Sequence, residues 1–105
     1  MSSGKLGSAD LVAAADILLY TCPALKLATV NINLCNRGTV ATTVRIAIGT
    51  GGAPAATDYL EYETPLPGPG VLERTGIVMS AGEKLWVRAV LATVSARAHG
   101  FEEPA

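Results

Sequence analysis

Apolar and polar residues alternate with period two along much of the chain, the spacing of half-buried strands rather than of helices. The clearest run covers residues 26–36, where Ala28, Val30, Ile32 and Leu34 alternate with Leu27, Thr29, Asn31, Asn33 and Cys35. Residues 39–48 alternate again, with Val40, Val44, Ile46 and Ile48 on one face and Arg45 on the other. Opposed residues of an antiparallel pair point the same way, so two strands with even-numbered core positions pair at even position sums. A three-residue loop of Asn36, Arg37 and Gly38 meets that condition and puts glycine where the left-handed conformation is needed. The pattern therefore predicts a hairpin with the pairs Leu34–Val40, Ile32–Thr42, Val30–Val44 and Ala28–Ile46.

Residues 49–57, rich in Gly and Ala, read as a long loop crossing an end of a sheet. Residues 58–63 form a short strand with Leu60 and Tyr62 on one side and Tyr59, Glu61 and Glu63 on the other. Pro65, Pro67 and Pro69 lack the amide donor and are expected to stop any ladder. Residues 71–79 resume a strand, with a phase change near Gly76 that a bulge explains. Residues 80–83 are a turn. Core parity then switches from odd (Leu85, Val87, Ala89) to even (Val94, Ala96, Ala98), so the chain turns near residues 90–93. Before all this, residues 10–22 supply one or two strands ended by Pro23; the alternative is an Ala-rich helix capped by Ser8. These elements predict an all-β fold: an antiparallel β-sandwich of seven or eight short strands, Ig-like or jelly-roll-like. The expected boundaries are a flexible or partner-ordered arm over residues 1–9, the sandwich over 10–101 and a short polar tail over 102–105.

Composition agrees with one packed domain. Of 105 residues, 50 % are hydrophobic and 16 % charged, and size scaling lets such a chain bury about 65 % of its surface. A formal net charge of -1 offers no footprint for nucleic acid or acidic lipid. The longest apolar stretch, residues 11–20, is short for a membrane span and is interrupted by Asp16. It also makes a poor signal peptide, so a soluble protein made in a reducing cytoplasm is expected.

Chemistry is sparse. Asp58, Glu61 and Glu63 have no calcium-loop spacing and read as a solvated acidic face meeting Arg45 or Arg74. His99 has no nucleophile beside it and lies on the outer side with Arg97. The glycine-rich loop lacks the Lys-Ser/Thr ending of a phosphate loop. No nucleophile, base and orienting group assemble, so no enzyme, metal or cofactor is expected. The geometry of the turn after Cys22 places it too far from Cys35 for an intrachain bridge. Cys22 reads as a small buried hydrophobe, and Cys35 as a thiol on the polar face of its strand. Both are candidates for an interchain disulfide, Cys35 first. The apolar tip Val90, Leu91 and Ala92, the outward Trp86 and the small-residue arm point to contacts with other subunits.

Taken in order, the phrases Asp10-Leu11, Leu19-Tyr20-Thr21-Cys22-Pro23-Ala24, Ala28 through Gly38, Val44-Arg45-Ile46-Ala47-Ile48, Asp58-Tyr59-Leu60-Glu61-Tyr62, Val71 through Ile77 and Ser80-Ala81-Gly82-Glu83-Lys84 resemble the small β-sandwich structural proteins of tailed bacteriophage virions. These occur as decoration, collar or fibre-associated subunits. The resemblance implies a non-enzymatic subunit, made in the host cytoplasm and carried in the virion. It implies attachment to capsid, neck or tail beside other virion proteins, as a homo-oligomer with a trimer favoured, and no nucleic acid or membrane partner. Family members often have aliphatic residues where Cys22 and Cys35 stand. The alternative reading is a glycan-binding or host-surface adhesion module.

Overall fold

The computed structural model describes residues 3–105 and contains eight strands: β1 (Ser3–Asp10), β2 (Ile17–Thr21), β3 (Lys26–Asn36), β4 (Thr42–Gly49), β5 (Tyr59–Leu66), β6 (Gly70–Met79), β7 (Lys84–Ala89) and β8 (Val94–Pro104). They form two antiparallel sheets with the orders β1-β8-β3-β6 and β2-β7-β4-β5. The pairings β1–β8, β2–β7, β3–β6 and β4–β5 are nested, so the chain is one long hairpin whose bend lies at residues 50–58. That hairpin is curled until β3 also meets β8 and β4 also meets β7. This is the order of a jelly roll.

The inward faces are those that alternation indicates. Ala28, Val30, Ile32 and Leu34 of β3 pack with Val44 and Ile46 of β4, Leu85, Val87 and Ala89 of β7, and Val94, Ala96 and Ala98 of β8. The parity switch between β7 and β8 is the chain leaving one sheet for the other at residues 90–93. The phase change in β6 is a bulge: Val30 faces Ile77 and Ile32 faces Arg74, with Gly76 at a φ of 67° donating its amide to Asn31 Oδ1.

Several expectations are corrected. β3 and β4 do not form a hairpin; they lie in opposite sheets, and Val40 is 64 % exposed. Position parity is satisfied equally by partners in one sheet and by facing strands in two. The expected long loop is present as residues 50–58 and joins β4 to β5 within one sheet. Pro65 does not end β5; it sits opposite Thr43 on an edge strand, where the missing amide need not meet a neighbour. Over residues 10–22 the expected strand reading holds against the helix: Asp10 ends β1 and Ile17–Thr21 is β2. The segment 1–9, expected as a flexible or partner-ordered arm, instead pairs with the chain's own β8 from Ser3 onward, while residues 1 and 2 lie outside the described residues. The expected tail also belongs to the sheet, since β8 continues opposite β3 to the pair Lys26–Pro104.

Each of the four edge strands carries a break in register: β1 at Lys5/Gly7, β2 at Leu18/Tyr20, β5 along β4, and β6 along β3. The two central ladders, β3–β8 and β4–β7, run unbroken. Bulged edges are poor templates for another strand, so extension of either sheet by a second chain is disfavoured.

Candidate functional site

Four connections meet at the end of the sandwich where β3 finishes: residues 11–16, 37–41, 67–69 and 90–93. Besides Asp16, Arg37 and Thr39, their exposed side chains are apolar and mostly small. Val12 is 55 %, Val40 64 % and Val90 47 % exposed, beside Ala13, Ala14, Ala41, Ala92, Pro67 and Pro69. A shallow depression lined by Val40, Ala41, Pro65, Val90 and Leu91, with Thr42 and Thr43 between them, joins two of the loops. The charges in these loops are already paired, Arg37 with Asp10 at 3.3 Å and Asp16 with Arg88 at 3.8 Å.

The loops are held in place by buried polar groups beneath them. Asn36 is fully buried and uses both ends of its amide. Its Nδ2 donates to the carbonyls of Val40 (2.9 Å) and Leu66 (3.3 Å), while Oδ1 accepts from the Gly38 amide (3.0 Å) and the Thr93 hydroxyl (2.8 Å). Thr42 Oγ1 accepts the Leu91 amide at 3.2 Å. Leu11 and Ala14 donate their amides to the carbonyls of Val94 and Ala89. Gly68 lies against the backbone of the 37–41 loop so closely that a Cβ would stand 2.7 Å from the Val40 oxygen. Such preorganisation lowers the ordering cost of binding.

Of the residues expected at an association surface, Val90, Leu91 and Ala92 lie here. Trp86 does not; it is half-buried on the outer face of the β2-β7-β4-β5 sheet between Leu18 and Ala47, with its Nε1 shielded and without a hydrogen-bond partner. Cys35 is on the outer face of the other sheet, between Val71 and Ser95, and both thiols are free. Sequence reasoning missed Asn36, read as a turn residue, and the contribution of residues 11–16. A buried asparagine at the end of an apolar-in strand was the available signal.

The acidic residues separate. Glu63 is exposed and accepts hydrogen bonds from Arg45 and from Thr43 Oγ1 (2.8 Å); the Arg45 hydrogen bond holds its carboxyl below the usual range. Glu61 departs from the solvated face expected of it: it is buried, paired with Arg74, and accepts the Thr64 hydroxyl at 2.6 Å. Asp58 accepts the Ala55 amide and fills the space a Cβ would need at Gly49. His99 is half-buried on the outer face, as expected, with Nδ1 shielded and without a hydrogen-bond partner. Tyr59 and Tyr62 meet edge to face at 4.9 Å, with Arg45 lying 4.4 Å over the Tyr62 ring. Among the described residues, no group of three or more His, Cys, Asp or Glu side chains is arranged to hold a metal ion.

At the opposite end Tyr20 donates to Glu102 at 2.5 Å, linking β2 to β8 across the sandwich beside the buried Cys22. Burial, then the carboxylate charge, pushes the Cys22 thiol up and leaves it a poor nucleophile. Burial, then the Glu102 hydrogen bond, pushes the Tyr20 hydroxyl well above its ordinary value. A raised acid pKa adds stability below the unfolded value and loses it as pH rises past that value. Urea unfolding is therefore expected to show stability falling by up to about 1.4 kcal/mol per pH unit above about pH 10, a slope that Tyr20→Phe reduces. An unchanged slope in that variant would refute the assignment.

Compared with known proteins, the chain matches no family model, and no curated protein or solved structure matches it.

Proposed function

We propose that this chain is a non-enzymatic structural subunit that docks through its apolar loop end onto a larger assembly. On the sequence resemblance, that assembly is the virion of a tailed bacteriophage, with the capsid, neck or tail as the receiving surface. The observation that carries the docking role is the gathering of exposed Val12, Val40 and Val90 with neighbouring alanines and prolines on four loops, of which Asn36 and Thr42 tie down 37–41 and 90–93 and backbone bonds hold 11–16. Exposed apolar side chains grouped at one end of a domain are a common mark of a contact surface. The bulged edges also leave faces and ends as the surfaces open to partners.

The test is incorporation. Immunogold label against the chain is expected on the surface of purified virions. Leu91→Asp, which would desolvate a carboxylate on docking, is expected to lower the copies per particle by about tenfold or more. Its isolated fold, followed by circular dichroism, should persist. Full incorporation of the variant, or particles without the chain, would defeat the reading.

A second reading, glycan binding, is favoured by the depression lined by Pro54, Ala56, Tyr59 and Tyr62. It ranks lower because the adjacent polar groups Arg45, Glu63 and Thr43 are engaged with one another. Binding on a glycan array that Tyr62→Ala abolishes would reverse that order.

A further inference from the structure

We propose that the outer face of β6, β3 and β8 binds a second copy of this chain about a two-fold axis running along β3. The two sheets differ in how their outer charges are used. On the β2-β7-β4-β5 sheet, Arg45 pairs with Glu63 and Arg88 with Asp16. Arg37 and Arg74 also have carboxylate partners. Among the described residues Arg97 alone of the arginines forms no ion pair, and Glu73 forms none either. Both are exposed, and both flank Asn33 on the outer face, Glu73 from β6 and Arg97 from β8. Their backbones are two strand spacings apart, about 9.6 Å, and the two side chains form no ion pair with each other within the chain.

A two-fold axis along β3 exchanges the β6 side of the face with the β8 side. It sets Glu73 of each copy against Arg97 of the other, twice. The same operation serves the apolar residues. Val78 and Phe101 flank Thr29 in register and are 59 % and 46 % exposed. The rotation lays each valine on the other copy's phenylalanine. The residues on the axis itself, Thr29, Asn31, Asn33 and Cys35, meet their own copies and are neutral. An axis across the strands would instead set Glu73 on Val78 and Arg97 on Phe101, burying charges against apolar groups, which is costly. An isologous interface must be self-complementary, and only the axis along β3 makes this one so.

Three strands over about ten residues offer roughly 480 Å² of face per copy. The total of about 1,000 Å² is at the low end of specific interfaces, so the dimer is expected to be reversible. Cys35 on the axis brings two thiols together across it, while Cys22, being buried, does not react. The proposal is independent of the docking role of the loop end, which Leu91→Asp probes without touching this face.

Sedimentation of the isolated chain at about 100 μM is expected to show a dimer. Arg97→Glu and Glu73→Arg, each alone, should weaken association about tenfold or more by opposing like charges. The two together should restore it, because the swapped charges meet again. A short bismaleimide should join two wild-type chains through Cys35 and fail with Cys35→Ser. A monomer at that concentration, a trimer, or a dimer indifferent to both single substitutions would overturn the proposal.

Discussion

Replacing Asn36 by alanine is expected to cost about 3–5 kcal/mol and to lower the melting temperature by more than about 12 °C. The variant loses the hydrogen bonds to Val40 and Leu66 and from Gly38 and Thr93 in one step. Four backbone and hydroxyl groups are then left under packed loops, and an unsatisfied buried group costs about 1–3 kcal/mol each. Some regain water, so the sum is not the full product. Against a domain stability of about 5–15 kcal/mol the loss is large. Thr93→Val, which removes a single donor to the same oxygen, should cost only about 1 kcal/mol. Thermal unfolding of both variants checks the ranking. An Asn36→Ala protein within about 1 kcal/mol of wild type would mean that the amide does not organise the loop end.

Gly100→Ala should be worse, with a loss above about 4 kcal/mol or no soluble protein at all. Gly100 has a φ of 151° and lies opposite Val30 in the unbroken β3–β8 ladder. A Cβ there would stand 1.9 Å from the Thr29 carbonyl oxygen and 3.2 Å from Val30 Cα. Those atoms belong to the backbone of a central strand, which cannot give way without breaking both its neighbours' hydrogen bonds. Gly52→Ala is the control, because nothing lies within 4 Å of its Cβ position; it should stay within about 0.5 kcal/mol of wild type. Denaturant curves on the two variants test the contrast, and a soluble, stable Gly100→Ala protein would contradict the close approach described.

Both residues show where sequence reading stops. Gly100 was legible only as a residue near the expected end of the sandwich, because a glycine that admits a neighbouring backbone resembles one that ends a strand. Asn36 was legible as a turn former, and the chain does bend after it. The bend, however, leads into the other sheet, and the side chain turns inward to serve loops that are distant in sequence. Glu102 was read as tail for the same reason. Nothing local marks a carboxylate whose partner, Tyr20, lies at the other end of the chain.

Alternation along β3, β4, β7 and β8 determined by itself which side chains face inward, because the period of a pleated strand is a local property. It likewise determined the bulge at Gly76, the turn at residues 90–93 and the all-β class. Strand partners, the jelly-roll order and the gathering of four apolar loops at one end were decided only by the tertiary structure. Two strands with the same parity bury the same residues whether they lie side by side or face to face. The choice between those arrangements falls to the whole curled hairpin, in which β3 lies between β6 and β8 rather than beside β4.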